Sequence, residues 1–442
     1  MMKAYPSYQD SGVEWLGGIP SHWEVVKLKH IGKAFIGLTY NPDNVTDEEN
    51  GKLVLRASNV QGGKITLDDN VYVKMEIPER LITKVNDILI CVRSGSRDLI
   101  GKNALIDEKS AGFSFGAFMT VFRSEINNYL VYVFNSQLFK VQSGLFNTST
   151  VNQLTQNDLY NFQVAIPPIP EQQAIADFLD RKTAQIDTLI EKKQRQIELL
   201  QEQRTALINH AVTKGLNPKV KMKDSGVEWL GEIPSHWEVV RVKHLADSMI
   251  SGPFGSSLTK DMYTSEGYRV YGQEQVIPAD FSIGDYYISK EKYLEMERYA
   301  VFTGDVLISC VGTFGKIAVV PEGIEPGIIN PRLIKVSPNR KAILPEYLGE
   351  VLSSKVTFDQ LEEVNRGGTM GVINLGLLSD ILIPIPPIDE QIEIKSFVNK
   401  TKANTNRSHQ NIIQMLELLS EYRTALISEA VTGKVDVRTV HE

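Results

Sequence analysis

DSGVEWLGGIPSHWEVVKLKH, from Asp10 to His30, and DSGVEWLGEIPSHWEVVRVKH, from Asp224 to His244, are nearly the same segment written twice. Only three of the 21 positions differ, and two of those differences are Lys/Arg and Leu/Val exchanges. All four tryptophans of the chain lie in these two copies. The repeat predicts two copies of one structural frame within 442 residues, a length that suits two or more hydrophobic cores.

A second pair of conserved segments follows each copy, after a stretch in which the two halves differ. AIPPIPEQQ from Ala165 matches PIPPIDEQI from Pro384, and RTALINHAVT from Arg204 matches RTALISEAVT from Arg423. The same number of residues separates the members of both pairs. Each half therefore has the order conserved segment, variable block, proline turn and long helix.

The variable blocks, 31–164 and 245–383, share a pattern rather than residue identity. NDILICV around Asp87 corresponds to GDVLISCV around Asp305, and GKNALI from Gly101 corresponds to GKIAVV from Gly315. Short apolar, β-branched runs alternate with Gly, Asn, Asp and Ser clusters, which indicates strands and turns with a few helices. Each block is predicted to be a mixed α/β domain.

Two long helices follow the proline turns, at Glu171 to about Thr213 and at Glu390 to about Val431. At 1.5 Å per residue, about 40 residues span roughly 60 Å, too long for one compact domain. Each helix carries a heptad-like apolar seam, so we expect the two helices to pair as an antiparallel coiled coil with the variable domains at opposite ends. The seam residues are Ile175, Leu179, Ile186, Ile190, Ile197, Leu200, Leu207 and Ala211 in the first helix and Ile412, Leu416, Leu419, Leu426 and Ala430 in the second.

The predicted fold class is α+β, with a pseudo-twofold internal repeat. Its parts are a first domain at 1–165, a first long helix at 166–215, a second domain at 216–384, and a second long helix with the C-terminal tail at 385–442.

The composition argues against a protein that coats DNA through its own charge. The formal net charge is −7 and the isoelectric point is about 5.7, whereas phosphate contacts need clustered Lys and Arg. Cys91 and Cys310 lie in apolar strand-like runs, so we expect buried reduced thiols rather than a metal site. A basic, apolar leader and a run of about 20 apolar residues are both missing, so we expect a cytoplasmic protein without a membrane span.

Over essentially its full length the chain resembles the specificity-subunit family of type I restriction-modification systems. The motifs that carry the resemblance are SGVEWLG(G/E)IPSHWEV, the GDVLIS-type strand, IPPI(P/D)EQ before each long helix, and RTALI near each helix end. In that family the variable blocks are target-recognition domains, each of which reads half of a bipartite, asymmetric site in double-stranded DNA. The helices set the unread gap between the two halves.

The resemblance also implies partners that carry all of the catalysis. These are two methyltransferase (M) subunits, with or without endonuclease/translocase (R) subunits. S-adenosylmethionine, ATP and Mg are expected on those partners, with no cofactor on this chain. The outer helix faces are expected to dock the M subunits around the RTALI segments and the tryptophan repeats.

We predict no catalytic and no metal-binding residue in the chain. Amino-methyltransferases need an Asn/Asp-Pro-Pro-aromatic loop, whereas Asn330 is followed by Pro331 and Arg332. The segment from Gly312 to Lys316 lacks the length and the Ser/Thr of a phosphate loop, so we interpret it as a turn. The repeated histidines and tryptophans are interpreted as framework, because base-reading residues should differ between the two halves.

The candidates for DNA contact are polar loop residues at which the two halves differ. Arg suits guanine, Gln and Asn suit adenine, and Ser, Thr and Lys often contact phosphate. The candidates are Arg93, Ser94, Ser96, Arg97, Lys102, Thr148, Ser149, Thr150 and Asn152 in the first half, and Ser256, Ser257, Lys260, Gln273, Gln275, Thr313, Lys316, Arg332, Arg366 and Thr369 in the second.

Three alternatives remain open at this point. An enzyme with its own restriction or methylation chemistry would be active with cofactor alone, and a coiled-coil adaptor that binds only proteins would show no DNA preference even in a complex. The third alternative is a specificity subunit of a system that has methyltransferases but no translocase. The bases recognised, the gap length and the methylated base do not follow from the sequence.

Overall fold

The computed structural model describes residues 3–96, 99–146, 153–254, 257–310, 316–364 and 374–439. The chain forms two compact units. The first unit comprises Met1–Gln194 together with Ile413–Glu442, and the second comprises Arg195–Ile412. Both unit boundaries fall inside a long helix, so each helix contributes one part to each unit.

The first unit combines short strands with three short helices and the beginning of a long one. The strands are β1 (Tyr8–Asp10), β2 (Gly18–Pro20), β3 (Glu24–Lys27), β4 (Lys33–Ile36), β5 (Val45–Thr46), β6 (Lys52–Leu55), β7 (Val60–Gln61), β8 (Lys64–Ile65), β9 (Tyr72–Val73), β10 (Ile88–Cys91), β11 (Asn103–Leu105), β12 (Ser114–Phe115), β13 (Met119–Arg123) and β14 (Gln163–Ile166). The helices are α1 (Asn127–Phe134), α2 (Gln137–Phe146), α3 (Gln156–Asn161) and α4 (Ile169–Lys214).

The main sheet of the first unit is antiparallel, in the order β11-β10-β13-β4. A second sheet has the order β12-β6-β9-β5, in which β12 runs parallel to β6. Ile88 and Ile90 of β10 pack in the cluster that contains α1, whereas Leu89 and Cys91 pack in the cluster that contains the second sheet. Because β10 is buried on both faces, its sequence is a continuous apolar run without alternation.

In the part of the chain that the structure describes, the second unit repeats the main sheet and the helices that follow it, with fewer strands and two additional short helices. Its strands are β15 (Met222–Asp224), β16 (Glu232–Pro234), β17 (Glu238–Arg241), β18 (Ala246–Ser251), β19 (Tyr268–Tyr271), β20 (Tyr287–Ile288), β21 (Val306–Ser309), β22 (Ile317–Val319), β23 (Gly327–Ile329), β24 (Leu333–Pro338) and β25 (Leu382–Ile385). Its helices are α5 (Gln273–Val276), α6 (Lys290–Glu295), α7 (Pro345–Leu352), α8 (Lys355–Val364), α9 (Leu375–Asp380) and α10 (Ile388–Val431).

The main sheet of the second unit has the order β22-β21-β24-β18, which matches the first unit strand for strand. The smaller sheet, β20-β19-β23, again contains a parallel pair, β19 and β23. Val306 and Ile308 of β21 pack on one face and Leu307 on the other. The variable blocks thus share one architecture, as the sequence pattern predicts.

The repeated tryptophan segments form framework in both units. Trp23 and Trp237 are 1% and 0% exposed. Each indole nitrogen donates to a carboxylate in the first turn of a long helix, Glu171 (3.1 Å) and Glu390 (3.0 Å) respectively. A histidine one residue earlier contacts the same carboxylate in each case, at 2.8 Å in the first unit and 2.5 Å in the second. These contacts agree with the interpretation of the repeats as framework.

The two long helices begin slightly earlier than the sequence analysis predicts. Helix α4 starts at Ile169 rather than Glu171, and α10 starts at Ile388 rather than Glu390. Pro170 is accommodated because the first turn of a helix needs no amide hydrogen from that residue. Pro170 therefore lies within the first turn of α4 and still marks where the helix begins.

The helices run antiparallel within each unit. In the first unit Tyr129 donates to the carbonyls of Ala165 and Val431, next to the beginning of α4 and at the end of α10. Further along the same pair, Arg423 donates to Asp187 (2.9 Å). In the second unit the Tyr347 hydroxyl likewise donates to the carbonyls of Val212 and Pro384. The predicted antiparallel pairing is confirmed.

One predicted seam position is wrong. Leu207 is 40% exposed, and its neighbour Ile208 is the buried residue at 8%. Ile208 packs with Ala211 and Val212 in the core of the second unit. The heptad pattern favours Leu207 because it assumes contact with a helix alone, whereas this part of α4 also packs against a domain.

Candidate nucleic-acid interface

Strands β12 and β13 are joined by a β-turn at residues 116–119, called here the first turn. The amide of Met119 donates to the carbonyl of Gly116 (2.8 Å), which places Phe118 at the third position of the turn. The Phe118 carbonyl accepts a hydrogen bond from the amide of Val92 (3.0 Å), the first residue after β10. The Phe118 side chain is 56% exposed.

Strands β23 and β24 are joined in the same way at residues 330–333, called here the second turn. The amide of Leu333 donates to the carbonyl of Asn330 (3.3 Å), which places Arg332 at the third position. The Arg332 carbonyl accepts from the amide of Cys310 (3.1 Å), the first residue after β21. Asn330 Oδ1 also accepts from the Arg332 amide (2.9 Å).

A glycine at the end of the neighbouring strand supports each turn. The amide of Gly37 donates to the carbonyl of Met119 (3.0 Å), and the amide of Gly252 donates to the carbonyl of Leu333 (2.8 Å). A Cβ atom at either glycine would collide with the carbonyl oxygen at the first position of the turn. The close approach therefore requires glycine in both units, and it holds the two turns in the same place.

The first turn lies among cationic and polar residues. The guanidinium carbon of Arg93 lies 5.2 Å from the centroid of the Phe118 ring. Ser94 and Ser96 follow in the same loop, where the Ser96 amide donates to Ser94 Oγ (3.2 Å). Three of the predicted residues, Arg93, Ser94 and Ser96, thus lie in the loop that follows β10, next to the first turn.

A cleft of about 450 Å³ lies beside the second turn. It combines cationic and amide side chains with two tyrosine rings whose centroids are 5.1 Å apart. Burial raises the pKa of Tyr263 above its usual range. The lining includes three of the predicted residues; it consists of Leu258, Lys260, Tyr263, Val270, Gly272, Gln273, Glu274, Tyr286, Asn330, Pro331 and Arg332.

A short series of polar contacts connects the second turn to β21. Gln273 Nε2 donates to Ser309 Oγ (2.7 Å), and Arg332 Nη1 makes a long contact of 3.5 Å with Gln273 Oε1. Ser257 is exposed and precedes Leu258, which lines the same cleft. The arrangement presents a guanidinium and an amide side by side, the two groups best suited to base edges.

Gln275 does not face this cleft. Its side chain is fully buried, its Oε1 accepts from the Gly272 amide (2.7 Å), and its Nε2 donates to the Ile283 carbonyl (2.9 Å). Asn59 makes the corresponding bond in the first unit, where its Oδ1 accepts from the Arg56 amide (2.9 Å). We therefore remove Gln275 from the proposed DNA contacts, since its amide closes a turn.

Two of the three predicted lysines, Lys102 and Lys316, lie apart from the turns. Lys102 is half-buried, and its backbone pairs with Cys91 and Leu99. Lys316 is exposed and lines a different cleft, of about 680 Å³, together with Arg204 and Lys402. The structure does not bring either lysine into the cleft beside the second turn.

Several predicted residues lie outside the described residues, and their role stays a prediction. They are Arg97, Thr148, Ser149, Thr150, Asn152, Ser256, Thr313, Arg366 and Thr369.

Both cysteines are buried, and burial raises the pKa of each thiol. Within the described ranges, the structure contains no group of three or more His, Cys, Asp or Glu side chains that could hold a metal ion. Where the chain is described, none of its helices combines the length and apolar character that crossing a membrane requires.

Phe118 is a candidate that the sequence analysis missed, because only polar residues were considered. A positional signal existed. Phe118 immediately precedes the buried strand MTVFR, just as Arg332 immediately precedes LIKVSP. Aligning the two halves on these strands would have placed both residues at one position.

Comparison with known proteins agrees with this repeated architecture. The family model described as the type I restriction modification DNA specificity domain matches residues 20–199 and again residues 234–418. Among solved structures, a chain from work on the complex assembly and conformational transition of the type I R-M system superposes with a TM-score of 0.69 at 17% identity. The match covers 94% of this chain and 99% of that one. The HsdS subunit from Thermoanaerobacter tengcongensis gives a TM-score of 0.55, also at 17% identity, covering 94% and 98%.

Curated relatives match along almost the whole chain. A putative type I restriction enzyme MjaX specificity subunit from Methanocaldococcus jannaschii is 26% identical, with 96% of each chain covered. The EcoKI specificity subunit of Escherichia coli K12 is 23% identical, with 95% of this chain and 90% of that protein covered. The two matches to the domain model together cover most of the chain. The chain therefore belongs to the family of type I restriction-modification DNA specificity subunits.

Proposed function

We propose that this chain reads a bipartite, asymmetric site in double-stranded DNA, one half-site for each variable block, within a type I restriction-modification complex. The observation that carries the proposal is the pair of equivalent turns. One backbone frame presents Phe118 beside Arg93 in the first block and Arg332 beside Gln273 in the second. Two different readers suit two different half-sites, whereas two identical readers would suit a palindrome.

Much of the affinity for DNA comes from the partners in this proposal. Phosphate contacts release counterions and depend on clustered positive charge, and this chain has a formal net charge of −7. Side chains at the two turns supply sequence discrimination, while basic surfaces of the M subunits hold the backbone of the duplex. The chain alone therefore binds DNA weakly, and the assembled complex binds it tightly.

The M subunits dock on the long helices, where apolar side chains are exposed. Leu418 and Tyr422 of α10 are 64% and 51% exposed and lie just before the RTALI segment that begins at Arg423. Leu199 and Leu207 of α4 are 48% and 40% exposed around the other RTALI segment. Leu199 and Leu418 occupy equivalent positions of the repeat and are both exposed, which supports two equivalent docking sites.

Catalysis is assigned to the partners. The two M subunits bind S-adenosylmethionine and methylate the DNA, and R subunits, where present, use ATP and Mg to translocate and cleave it. This chain scaffolds both kinds of subunit in the cytoplasm and contributes no catalytic group. Support for this assignment comes from relatives that are named specificity subunits of restriction enzymes.

Co-expression of the chain with its M subunit in a host without DNA methylation tests the proposal. Sequencing that detects methylated bases should reveal one bipartite motif with a gap of fixed length. Cells that express the M subunit alone serve as the control and should show no such motif. Methylation without a motif, or a single uninterrupted palindrome, contradicts two-part reading, and adding the R subunit then tests whether the complex also restricts DNA.

A further inference from the structure

The same backbone contacts hold the residue at the third position of each turn, and in the second turn Asn330 Oδ1 also accepts from the Arg332 amide. In both units the carbonyl of this third residue accepts a hydrogen bond from the amide of the first residue after β10 or β21. The carbonyl of the following residue accepts from a glycine amide. These bonds are the same whether the side chain is the phenyl ring of Phe118 or the guanidinium of Arg332. The frame therefore fixes where the side chain begins while leaving its chemistry variable, which suits a position that selects a ligand.

Arg332 is exposed and borders the cleft beside the second turn. Within the described part of the chain, its guanidinium contacts the Gln273 amide oxygen and pairs with no carboxylate. Gln273 is itself anchored to Ser309 on β21. Because the guanidinium contacts a neutral amide, it keeps N–H donors for a ligand that has two acceptor atoms. In the major groove this ligand is guanine, whose O6 and N7 both accept hydrogen bonds.

Phe118 offers different chemistry from the same position. Its ring is 56% exposed and has Arg93 beside it at 5.2 Å. A phenyl ring cannot hydrogen-bond to a phosphate or to the polar edge of a base. Its match in the major groove is the C5-methyl group of thymine, while the adjacent guanidinium suits the surrounding negative charge.

We propose that this turn position determines specificity in both halves of the site: Arg332 contacts a guanine in the second half-site, and Phe118 contacts the methyl group of a thymine in the first. The inference rests on the proposed function and deepens it, because it names the bases and the atoms that are read.

The test uses the purified complex of the full chain with its M subunits and duplexes of the wild-type motif in which one base at a time is altered. Replacing the cognate guanine by 7-deazaguanine removes N7, and replacing the cognate thymine by deoxyuridine removes the methyl group. We expect the wild-type complex to bind roughly 10- to 100-fold more weakly after the guanine change and about fourfold more weakly after the thymine change.

Arg332→Ala should be insensitive to 7-deazaguanine at that one guanine, and Phe118→Ala should be insensitive to deoxyuridine at that one thymine. Arg332→Lys keeps the charge but loses the planar two-donor fork, so it should retain binding to unrelated DNA while its preference for that guanine weakens. Each variant should relax one base of its own half-site and leave the other half unchanged.

Two residues of the second unit serve as matched controls. Arg298 is exposed beside the Tyr299 ring, and Phe302 is 62% exposed beside Lys335, at the other end of β21 from the second turn. Arg298→Ala and Phe302→Ala should leave both base dependences at the wild-type level.

The outcomes separate the two proposals. A wild-type complex without a bipartite motif refutes the proposed function itself. A wild-type complex with such a motif, combined with Arg332 or Phe118 variants that keep every base preference or lose all of them equally, overturns only the assignment made here. Loss of binding by Arg332→Ala together with an unaltered guanine preference in Arg332→Lys also counts against it.

Discussion

Glu171 shows how a single residue ties the repeated segments to the helices. It is 4% exposed and lies in the first turn of α4, where it accepts hydrogen bonds from Trp23 and Tyr5. Its counterpart Glu390 accepts from Trp237 at the beginning of α10. A carboxylate near a helix N-terminus is favoured by the helix dipole, and indole and phenol donors replace the water lost on burial. Since both members of this contact recur, packing accounts for the recurrence of Trp23 and Trp237 in the two segments.

The glycine behind the first turn provides a prediction at the scale of one residue. Gly37→Ala should destabilise the chain by roughly 1–3 kcal/mol, because the new Cβ collides with the backbone of Gly116 and the turn must shift. Gly95→Ala is the matched control, since a Cβ there meets no atom within 4 Å and should change stability by less than about 0.5 kcal/mol. Thermal unfolding of the full chain measures both. Equal melting temperatures for the two variants would show that the turn is not held by close packing.

At the scale of elements, periodicity predicts the long helices well because their apolar residues recur at helical spacing over about 40 residues. The prediction fails at Leu207 and Ile208, where α4 meets a domain and a partner helix at once and the buried face rotates by one residue. Buried strands such as β10 are identifiable as apolar runs, but their neighbours in the sheet are not, since pairing depends on contacts distant in sequence.

The candidate site was predictable only in part, for the same reason. Arg93 and Arg332 stand out as polar residues next to apolar strands, and the structure places each beside a turn. Gln275 fits the same description, yet its side-chain amide is hydrogen-bonded to two backbone groups. Those groups come close to it only in the folded loop. Phe118 was missed because only polar residues were considered, although its position before a buried strand matches that of Arg332.

The helix pair allows a second stability prediction, with a control on the same helix. Leu179 of α4 is 0% exposed in the core of the first unit, whereas Leu189 of α4 is 39% exposed. Leu179→Ala should reduce the free energy of unfolding by about 2–5 kcal/mol, and Leu189→Ala by much less than that. Urea denaturation of the chain compares the two variants. Similar losses from both would mean that the exposed side of α4 also packs within the chain.

At the scale of the whole molecule, each variable block begins and ends at one two-stranded sheet. In the first unit β3 pairs with β14, so that Lys27 lies opposite Gln163. In the second unit β17 pairs with β25, so that Arg241 lies opposite Leu382. The two ends of a block thus lie side by side on conserved framework, and the block can differ between relatives without altering the frame.

Because the two ends of each block lie side by side, exchange of a whole block is the decisive test for the molecule. Replacing residues 31–164 by the corresponding block of a relative with a known motif should change one half of the methylated site and leave the other half and the gap length as they were. The reason is that the second block and both long helices keep their own sequences. Methylation sequencing of cells that carry the chimera and the M subunit gives the readout, and the reciprocal exchange of 245–383 is the control. A chimera that alters both half-sites, or neither, would show that base recognition is not divided between the two blocks.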